Sequence, residues 1–121
     1  MKVLIVDDSE VARFTTNEIC KQRGHETFQA ENGIEALEVL EQNSVDLVFT
    51  DLNMPQMDGI QLLKNMKNKG LSPIVIVVTT EVSKDIVQSA KSYGATGWIT
   101  KPVVEDKFIS ILEAMEQKIQ G

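Results

Sequence analysis

The feature that most constrains this chain is the regular alternation of short apolar runs with helical patterns from one end to the other. Runs such as VLIV and IVIVV are rich in β-branched residues, which is typical of strands buried on both faces. The sequence predicts strands near 2–6, 25–29, 45–50, 73–79 and 96–100, and helices near 9–23, 32–42, 59–69, 83–93 and 103–119. Strict alternation of this kind predicts a parallel sheet with helices on both faces and right-handed crossovers.

Turn-forming and capping residues agree with the predicted helix ends. Gly24, Gly70 and Gly94 lie where helices are expected to stop, since glycine takes the left-handed cap conformation at little cost. Asn32, followed three residues later by Glu35, resembles a capping box at the start of the second helix. The last helix is expected to bury one apolar face, which helical spacing assigns to Val104, Phe108, Ile111, Leu112, Met115 and Ile119.

Size, charge and cysteine content limit the classes of function. A chain of 121 residues is expected to form one domain, 1–121, and its formal net charge of -6 argues against nucleic-acid binding, which needs clustered Lys and Arg. No apolar stretch approaches the ~18 residues needed to span a bilayer, and the start of the chain lacks the features of a signal peptide. The lone Cys20 is expected to be a small buried residue on a helix. A reducing cytoplasm is therefore the expected location.

Polar side chains follow the predicted strands at the points where they end. Asp7 and Asp8 follow the first run and Asp51 the third, while hydroxyls end the fourth run at Thr79 and Lys101 follows the fifth. Carboxylates placed past the ends of parallel strands can converge at one edge of the sheet. Three acids that share a site repel one another unless a cation is present. The pattern predicts a site for phosphate and a metal ion.

Four motifs carry a resemblance that covers the whole chain: VDDS at 6–9, FTDLNMPQMDG at 49–59, VTT at 78–80 and GWITKP at 97–102. In this order and strand–helix context, they resemble the receiver domains of bacterial response regulators, and most of all single-domain chemotaxis regulators. The resemblance implies a flavodoxin-like, doubly wound (βα)5 fold with strand order 2-1-3-4-5. It also implies that Asp51 takes a phosphoryl group from a phosphohistidine on a sensor histidine kinase or a histidine phosphotransfer protein.

The resemblance also implies the metal site. Mg²⁺ is the expected cofactor, held by Asp8 directly, by Asp7 directly or through a water, by Asp51 and by the backbone carbonyl of Asn53. Mg²⁺ suits such a site because it takes one or two carboxylates plus phosphate oxygens and keeps several waters. Lys101 is expected to pair with Asp51 and then with the phosphoryl oxygens, and the peptide between Lys101 and Pro102 is expected to be cis.

Further residues are expected to transmit the phosphorylated state and to set its lifetime. Thr79 is the expected switch hydroxyl, and Trp98 holds the position of the family's switch aromatic, although its bulk is equally consistent with plain packing. The output surface for a protein target, whose identity the sequence does not give, is expected to be formed by helix 83–93, strand 96–100 and helix 103–119. Asn53 and Glu81 are expected to tune hydrolysis by orienting the attacking water.

The first helix is expected to dock the phosphodonor partner. Counting about 100° per residue places Ile19 and Cys20 on the core side, with Phe14 nearly opposite and Val11 well to one side. An exposed aromatic beside an exposed valine suggests an interaction site, although single exposed apolar residues are common. His25, which has no partner nearby in sequence, is expected to be a surface or strand-start residue and is not a phosphohistidine candidate.

A phosphohydrolase that uses an aspartyl-phosphate intermediate on a similar sheet is the main alternative. Enzymes of the haloacid-dehalogenase type carry a second Asp two residues after the nucleophile, and this chain has Asn53 there, which cannot do that proton transfer. The chain is therefore expected to catalyse only its own phosphorylation and dephosphorylation. Met1 close to the first strand and a chain end soon after the fifth helix favour a complete single-domain regulator, and a domain cut from a longer protein stays open as the alternative.

Overall fold

The computed structural model describes residues 1–80 and 83–120, which form five strands and five helices in strict alternation. The strands are β1 Lys2–Val6, β2 Glu26–Ala30, β3 Leu47–Thr50, β4 Ile74–Thr79 and β5 Gly97–Thr100. The helices are α1 Glu10–Gln22, α2 Gly33–Gln42, α3 Gly59–Asn68, α4 Lys84–Ser92 and α5 Glu105–Gln120. Every described element lies within two residues of its predicted position.

The five strands form one parallel sheet in the order β2-β1-β3-β4-β5, which confirms the predicted flavodoxin-like topology. The strand β3 begins two residues later than predicted, because its pairing with β1 starts at Leu47, opposite Val3. Just before that pair, Asp46 makes two hydrogen bonds to the backbone of Lys2 in β1. Its N–H donates to the carbonyl oxygen of Lys2 at 2.9 Å, and its carboxylate accepts from the Lys2 N–H at 2.8 Å.

Alternate side chains of the central strands fill two cores, one on each face of the sheet. Helices α2, α3 and α4 cover the face that carries Leu4, Val48 and Val77. Helices α1 and α5 cover the opposite face, where the Phe49 and Phe108 rings lie 4.7 Å apart between centroids. Truncating a fully buried aromatic such as Phe108 costs about 3–5 kcal/mol in cores of this kind, so this ring pair fixes α5 firmly on the sheet.

The helix ends follow the sequence signals with one exception. Gly24, Gly70 and Gly94 all have positive φ, at 86°, 73° and 104°, as expected for helix stops. At the start of α2, the Asn32 side chain accepts from the Glu35 N–H at 2.9 Å, but the Glu35 carboxylate accepts from the N–H of residue 31, so only half of the predicted capping box forms. A complete capping box joins Asp58 and Gln61 at the start of α3.

The predicted apolar face of α5 is wrong at its first member. The helix begins at Glu105, and Val104, which precedes it, is 60% exposed. Phe108 and Leu112 are buried, and Ile111, Met115 and Ile119 are partly buried against the same core. Across the described residues, no helix combines the length and the apolar character needed to cross a membrane.

His25 directly precedes β2, which agrees with the strand-start alternative, but its side chain is not on the surface. Its side chain is only 5% exposed, and its Nε2 lies 2.6 Å from Oε2 of Glu116 in α5. The guanidinium of Arg23 donates to the same carboxylate at 2.9 Å, and this hydrogen bond holds the pKa of Glu116 below its usual value. Burial raises the pKa of the nearby Cys20 thiol to about 12, so the predicted buried, unreactive cysteine is confirmed. This cluster ties the last turns of α1 and α5 together.

Candidate functional site

The polar residues at the strand ends meet at one edge of the sheet. Asp7 and Asp8 follow β1, Asp51 follows β3, Thr79 ends β4 and Lys101 follows β5. β1 and β3 are neighbours although β2 lies between them in sequence, so the strand order reverses between these two strands. Ligands of open parallel sheets bind at such a reversal, beyond the carboxyl ends of the strands. The expected convergence is therefore observed.

Lys101 is the cation that pairs with carboxylates in the described site. Its Nζ donates to Oδ2 of Asp51 at 2.7 Å, as predicted, and also to Oδ2 of Asp7 at 2.6 Å, which the sequence did not predict. Asp7 is 5% and Asp51 7% exposed, so both ion pairs are shielded from water. Burial works to lower the pKa of Lys101, but the hydrogen bonds to Asp51 and Asp7 outweigh it and hold the pKa above its usual value. The lysine is therefore a permanent positive charge at neutral pH.

Backbone contacts orient the two buried carboxylates. Oδ1 of Asp51 accepts from the N–H of Asn53 at 3.1 Å, and Oδ1 of Asp7 accepts from the N–H of Ser9 at 2.9 Å.

Gly59 lies so close behind Asp51 that a β-carbon there would stand 2.5 Å from the Asp51 carbonyl oxygen. Only glycine permits this approach of α3 to the end of β3. The peptide between Lys101 and Pro102 is cis, as the resemblance implied.

Three carboxylates of the described chain are suited to hold a metal ion. Asp7, Asp8 and Asp51 each offer an oxygen within 4.8 Å of the other two. Hard carboxylate oxygens are the ligands of Mg²⁺ and Ca²⁺, and the three acids outnumber Lys101, the cation that contacts them, so a divalent cation would offset the remaining negative charge. Asp8 is exposed, and within residues 1–80 and 83–120 its carboxylate has no hydrogen-bond or ion-pair partner. The cluster therefore fits the expected cation.

Of four further predicted residues, three belong to the described part of the chain. Thr79 is fully buried at the end of β4, and the Lys101 N–H donates to its carbonyl oxygen at 2.9 Å. Trp98 in β5 pairs with Val77 in β4 and is partly buried against the core of the α2–α4 face. The Asn53 side chain is exposed beside Asp51, whereas Glu81 lies outside the described residues.

The α1 residues predicted to be exposed are exposed. Val11 is 77% and Phe14 63% exposed, while Ile19 and Cys20 are buried. A cavity of about 510 Å³ opens between α1 and the segment that follows β5, and its lining includes Asp7, Ala12, Lys101 and Val103. The first turns of α1 thus border the site itself.

One polar residue of the site was missed in the sequence. The guanidinium of Arg13 donates to the carbonyl oxygen of Asp7 at 2.6 Å, across the turn between β1 and α1. An arginine six residues after an acid carries no local signal of such a contact, because charged residues on helices usually face water.

The family model described as "Response regulator receiver domain" matches residues 3–113, and the chain belongs to this family. It is 41% identical over 101 residues to Sporulation initiation phosphotransferase F of Bacillus subtilis, covering 84% of this chain and 82% of that protein. It is 30% identical over 120 residues to the Sensor histidine kinase RcsC of Salmonella typhi, covering 99% of this chain but only 13% of that kinase.

Solved structures give the same assignment. The chemotaxis protein CheY4 of Vibrio cholerae superposes with a TM-score of 0.88 at 32% identity, over 94% of this chain and 97% of that one. A two-component response regulator from Clostridium difficile superposes with a TM-score of 0.93 at 20% identity, over 100% and 99%, and supports the fold alone. The chain is a phospho-accepting receiver domain of two-component signal transduction.

Proposed function

We propose that Asp51 is the phosphoryl acceptor and that the donor is a phosphohistidine on a sensor histidine kinase or a histidine phosphotransfer protein. The observation that carries this proposal is the position of Asp51, a carboxylate oriented by Lys101 at 2.7 Å beside two further acids. A carboxylate oxygen of Asp51 forms the new bond to phosphorus as the bond from phosphorus to the histidine nitrogen breaks, and that nitrogen keeps the electron pair. The product is an acyl phosphate.

The residues around Asp51 are proposed to bind the metal ion, to donate a hydrogen bond and to limit the access of water. Asp7, Asp8, Asp51 and the carbonyl of Asn53 would hold Mg²⁺, which when bound neutralises charge on the transferring group. Lys101 keeps its proton because its pKa is raised. It lies close enough to Asp51 to donate a hydrogen bond to the phosphoryl oxygens once Asp51 is phosphorylated. The burial of Asp51 limits the access of water.

The domain acts on itself and has no separate substrate under this proposal. A phosphohydrolase would need a proton-transferring acid two residues after the nucleophile, and the exposed amide of Asn53 does not supply one. Asn53 and Glu81 are proposed instead to set how fast water removes the phosphoryl group. Thr79 and Trp98 are proposed to carry the phosphorylated state to the surface formed by α4, β5 and α5, where a protein target reads it. The cytoplasmic location expected from the sequence stays a prediction.

The phosphodonor partner is proposed to dock on α1 through Val11 and Phe14. These exposed apolar side chains sit on the helix that follows Asp8 directly, so a partner resting there would bring its histidine towards Asp51. Phe14→Ala should slow phosphotransfer from the protein donor and leave labelling by acetyl phosphate unchanged. Ile34→Ala removes an exposed apolar residue from α2, where no docking is proposed, and is the matched control. Equal rates for both variants with the protein donor would contradict the docking site.

The acceptor is tested by measuring the intact mass during incubation with Mg²⁺ and acetyl phosphate. We expect one labile phosphoryl adduct in the wild type, none when a chelator removes the metal, and none in Asp51→Asn. The chelator result follows because uncompensated carboxylates would repel the incoming phosphoryl group. An adduct that forms on Asp51→Asn at the wild-type rate would refute the assignment.

A further inference from the structure

We propose that Arg13 is a positioning residue that fixes the orientation of Asp8 through the backbone of the turn between β1 and α1. The proposal rests on the proposed function, because Asp8 matters only if it holds the metal ion. Its basis is the short hydrogen bond, 2.6 Å, from the Arg13 guanidinium to the carbonyl oxygen of Asp7. Among the described residues no carboxylate lies within ion-pair distance of Arg13, so its charged donor is directed to this carbonyl.

The other polar atoms of Asp7 are also bound. Its N–H donates to the carbonyl oxygen of Ala30 at 3.1 Å, and its two carboxylate oxygens accept from Ser9 and Lys101 at 2.9 Å and 2.6 Å. The carbonyl oxygen completes the set through Arg13. Asp7 is therefore held at every polar atom, whereas Asp8 in the same turn is exposed.

The carbonyl of Asp7 determines where the side chain of Asp8 begins. The atoms from the α-carbon of Asp7 to the α-carbon of Asp8 lie in one rigid peptide plane. A hydrogen bond to the carbonyl oxygen fixes the rotation of that plane and hence the position of the Asp8 α-carbon. Because the Asp8 carboxylate has no partner of its own in the described chain, the plane is the restraint that keeps it facing Asp7 and Asp51.

Two effects of Arg13 on the metal have opposite signs and can be separated. Its positive charge near three carboxylates disfavours a second cation, so removing the charge alone would tighten Mg²⁺ binding. Its hydrogen bond orients a ligand, so removing the bond would weaken Mg²⁺ binding. Partners that orient metal ligands are worth about 10- to 100-fold in affinity. We infer that orientation dominates, because the guanidinium contacts the backbone and not a carboxylate.

The test is the Mg²⁺ affinity of Arg13 variants, measured from the rise in Tm with Mg²⁺ concentration without any phosphodonor. Arg13→Met keeps an unbranched apolar stem of the side chain and removes the donor and the charge. Lys21→Met removes one charge from the exposed end of the same helix and is the control. We expect Mg²⁺ to bind about tenfold more weakly to Arg13→Met than to Lys21→Met, and labelling by acetyl phosphate to recover at saturating Mg²⁺.

Arg13→Lys keeps the charge but not the planar guanidinium, so orientation predicts an affinity between those of Arg13→Met and the wild type. If Arg13→Met does not fold, Arg13→Lys alone decides between orientation and charge. If Arg13 acts through its charge alone, Arg13→Lys will bind Mg²⁺ with the wild-type affinity. Equal or tighter binding by Arg13→Met than by Lys21→Met overturns the inference. If the wild type binds no Mg²⁺, the proposed function fails as well; if the wild type and all variants bind alike, only the role of Arg13 fails.

Discussion

Replacing Lys101 by methionine should destabilise the metal-free domain. The Lys101 Nζ lies 2.6 Å from Asp7 and 2.7 Å from Asp51, and both carboxylates are almost fully buried. Methionine has a similar length but no charge, so Lys101→Met leaves two buried carboxylates without this cation, next to Asp8. A buried charge that loses its partner is one of the few single changes with a large effect on stability.

The size of the effect follows from burial. Removing one partner of a buried ion pair costs about 3–5 kcal/mol. The Lys101 side chain is 19% exposed and so less buried than the two carboxylates, and we therefore expect the lower end, about 3 kcal/mol. A domain of this length loses about 4 °C of Tm per kcal/mol, which predicts a Tm about 12 °C below that of the wild type in a chelator.

The assay is thermal unfolding in a chelator and in saturating Mg²⁺. We expect Mg²⁺ to raise the Tm of Lys101→Met more than that of the wild type, because the metal ion supplies the missing positive charge. Lys118→Met, which removes an exposed lysine from α5, is the control for net charge. If Lys101→Met and Lys118→Met unfold at the same temperature in the chelator, the argument that Lys101 compensates the buried acids is wrong.

Three further predictions concern pH, the switch and phosphoryl lifetime. Because a hydrogen bond from Arg23 lowers the pKa of Glu116 from 4.5, the stabilisation is complete above that pH and is lost as pH falls through the folded-state pKa. The Tm difference between wild type and Glu116→Gln should therefore close at acid pH, and a constant difference would contradict this. Beryllofluoride with Mg²⁺ should change the emission of Trp98 or its quenching by iodide; no change with the site occupied would remove Trp98 from the switch. Leucine at Asn53 and at Glu81 should alter the dephosphorylation rate, and unchanged rates would refute their role.

The fold could be predicted because its signals are local. Strands that are buried on both faces appear in the sequence as continuous apolar runs, and three of the helices end at glycines with positive φ, such as Gly24. The two-residue error at the start of β3 arose because Asp46, although it hydrogen-bonds to Lys2, precedes the paired register. Val104 fits the helical spacing of α5 yet lies before the helix, which begins at Glu105.

The site could be predicted only in part. The strand ends located Asp8, Asp51 and Lys101, since topology alone brings those positions to one edge of the sheet. The pair of Lys101 with Asp7 joins residues 94 positions apart, and which carboxylate a lysine reaches is decided by packing and not by a motif.

Two other contacts were also hidden, each for its own reason. The pair of His25 with Glu116 joins residues 91 positions apart, so no sequence neighbour of His25 reveals its burial. Arg13 binds the backbone oxygen of Asp7, and no motif in the sequence marks that contact.

The central claim is that Asp51 carries the phosphoryl group, and chemical trapping tests it most directly. Borohydride reduces an aspartyl phosphate to homoserine with release of phosphate, and peptide mass spectrometry then locates the homoserine in the chain. After labelling with acetyl phosphate and Mg²⁺, we predict homoserine at position 51 and unmodified aspartate at positions 7, 8, 46 and 58. Homoserine at another of these positions, with Asp51 intact, would contradict the account.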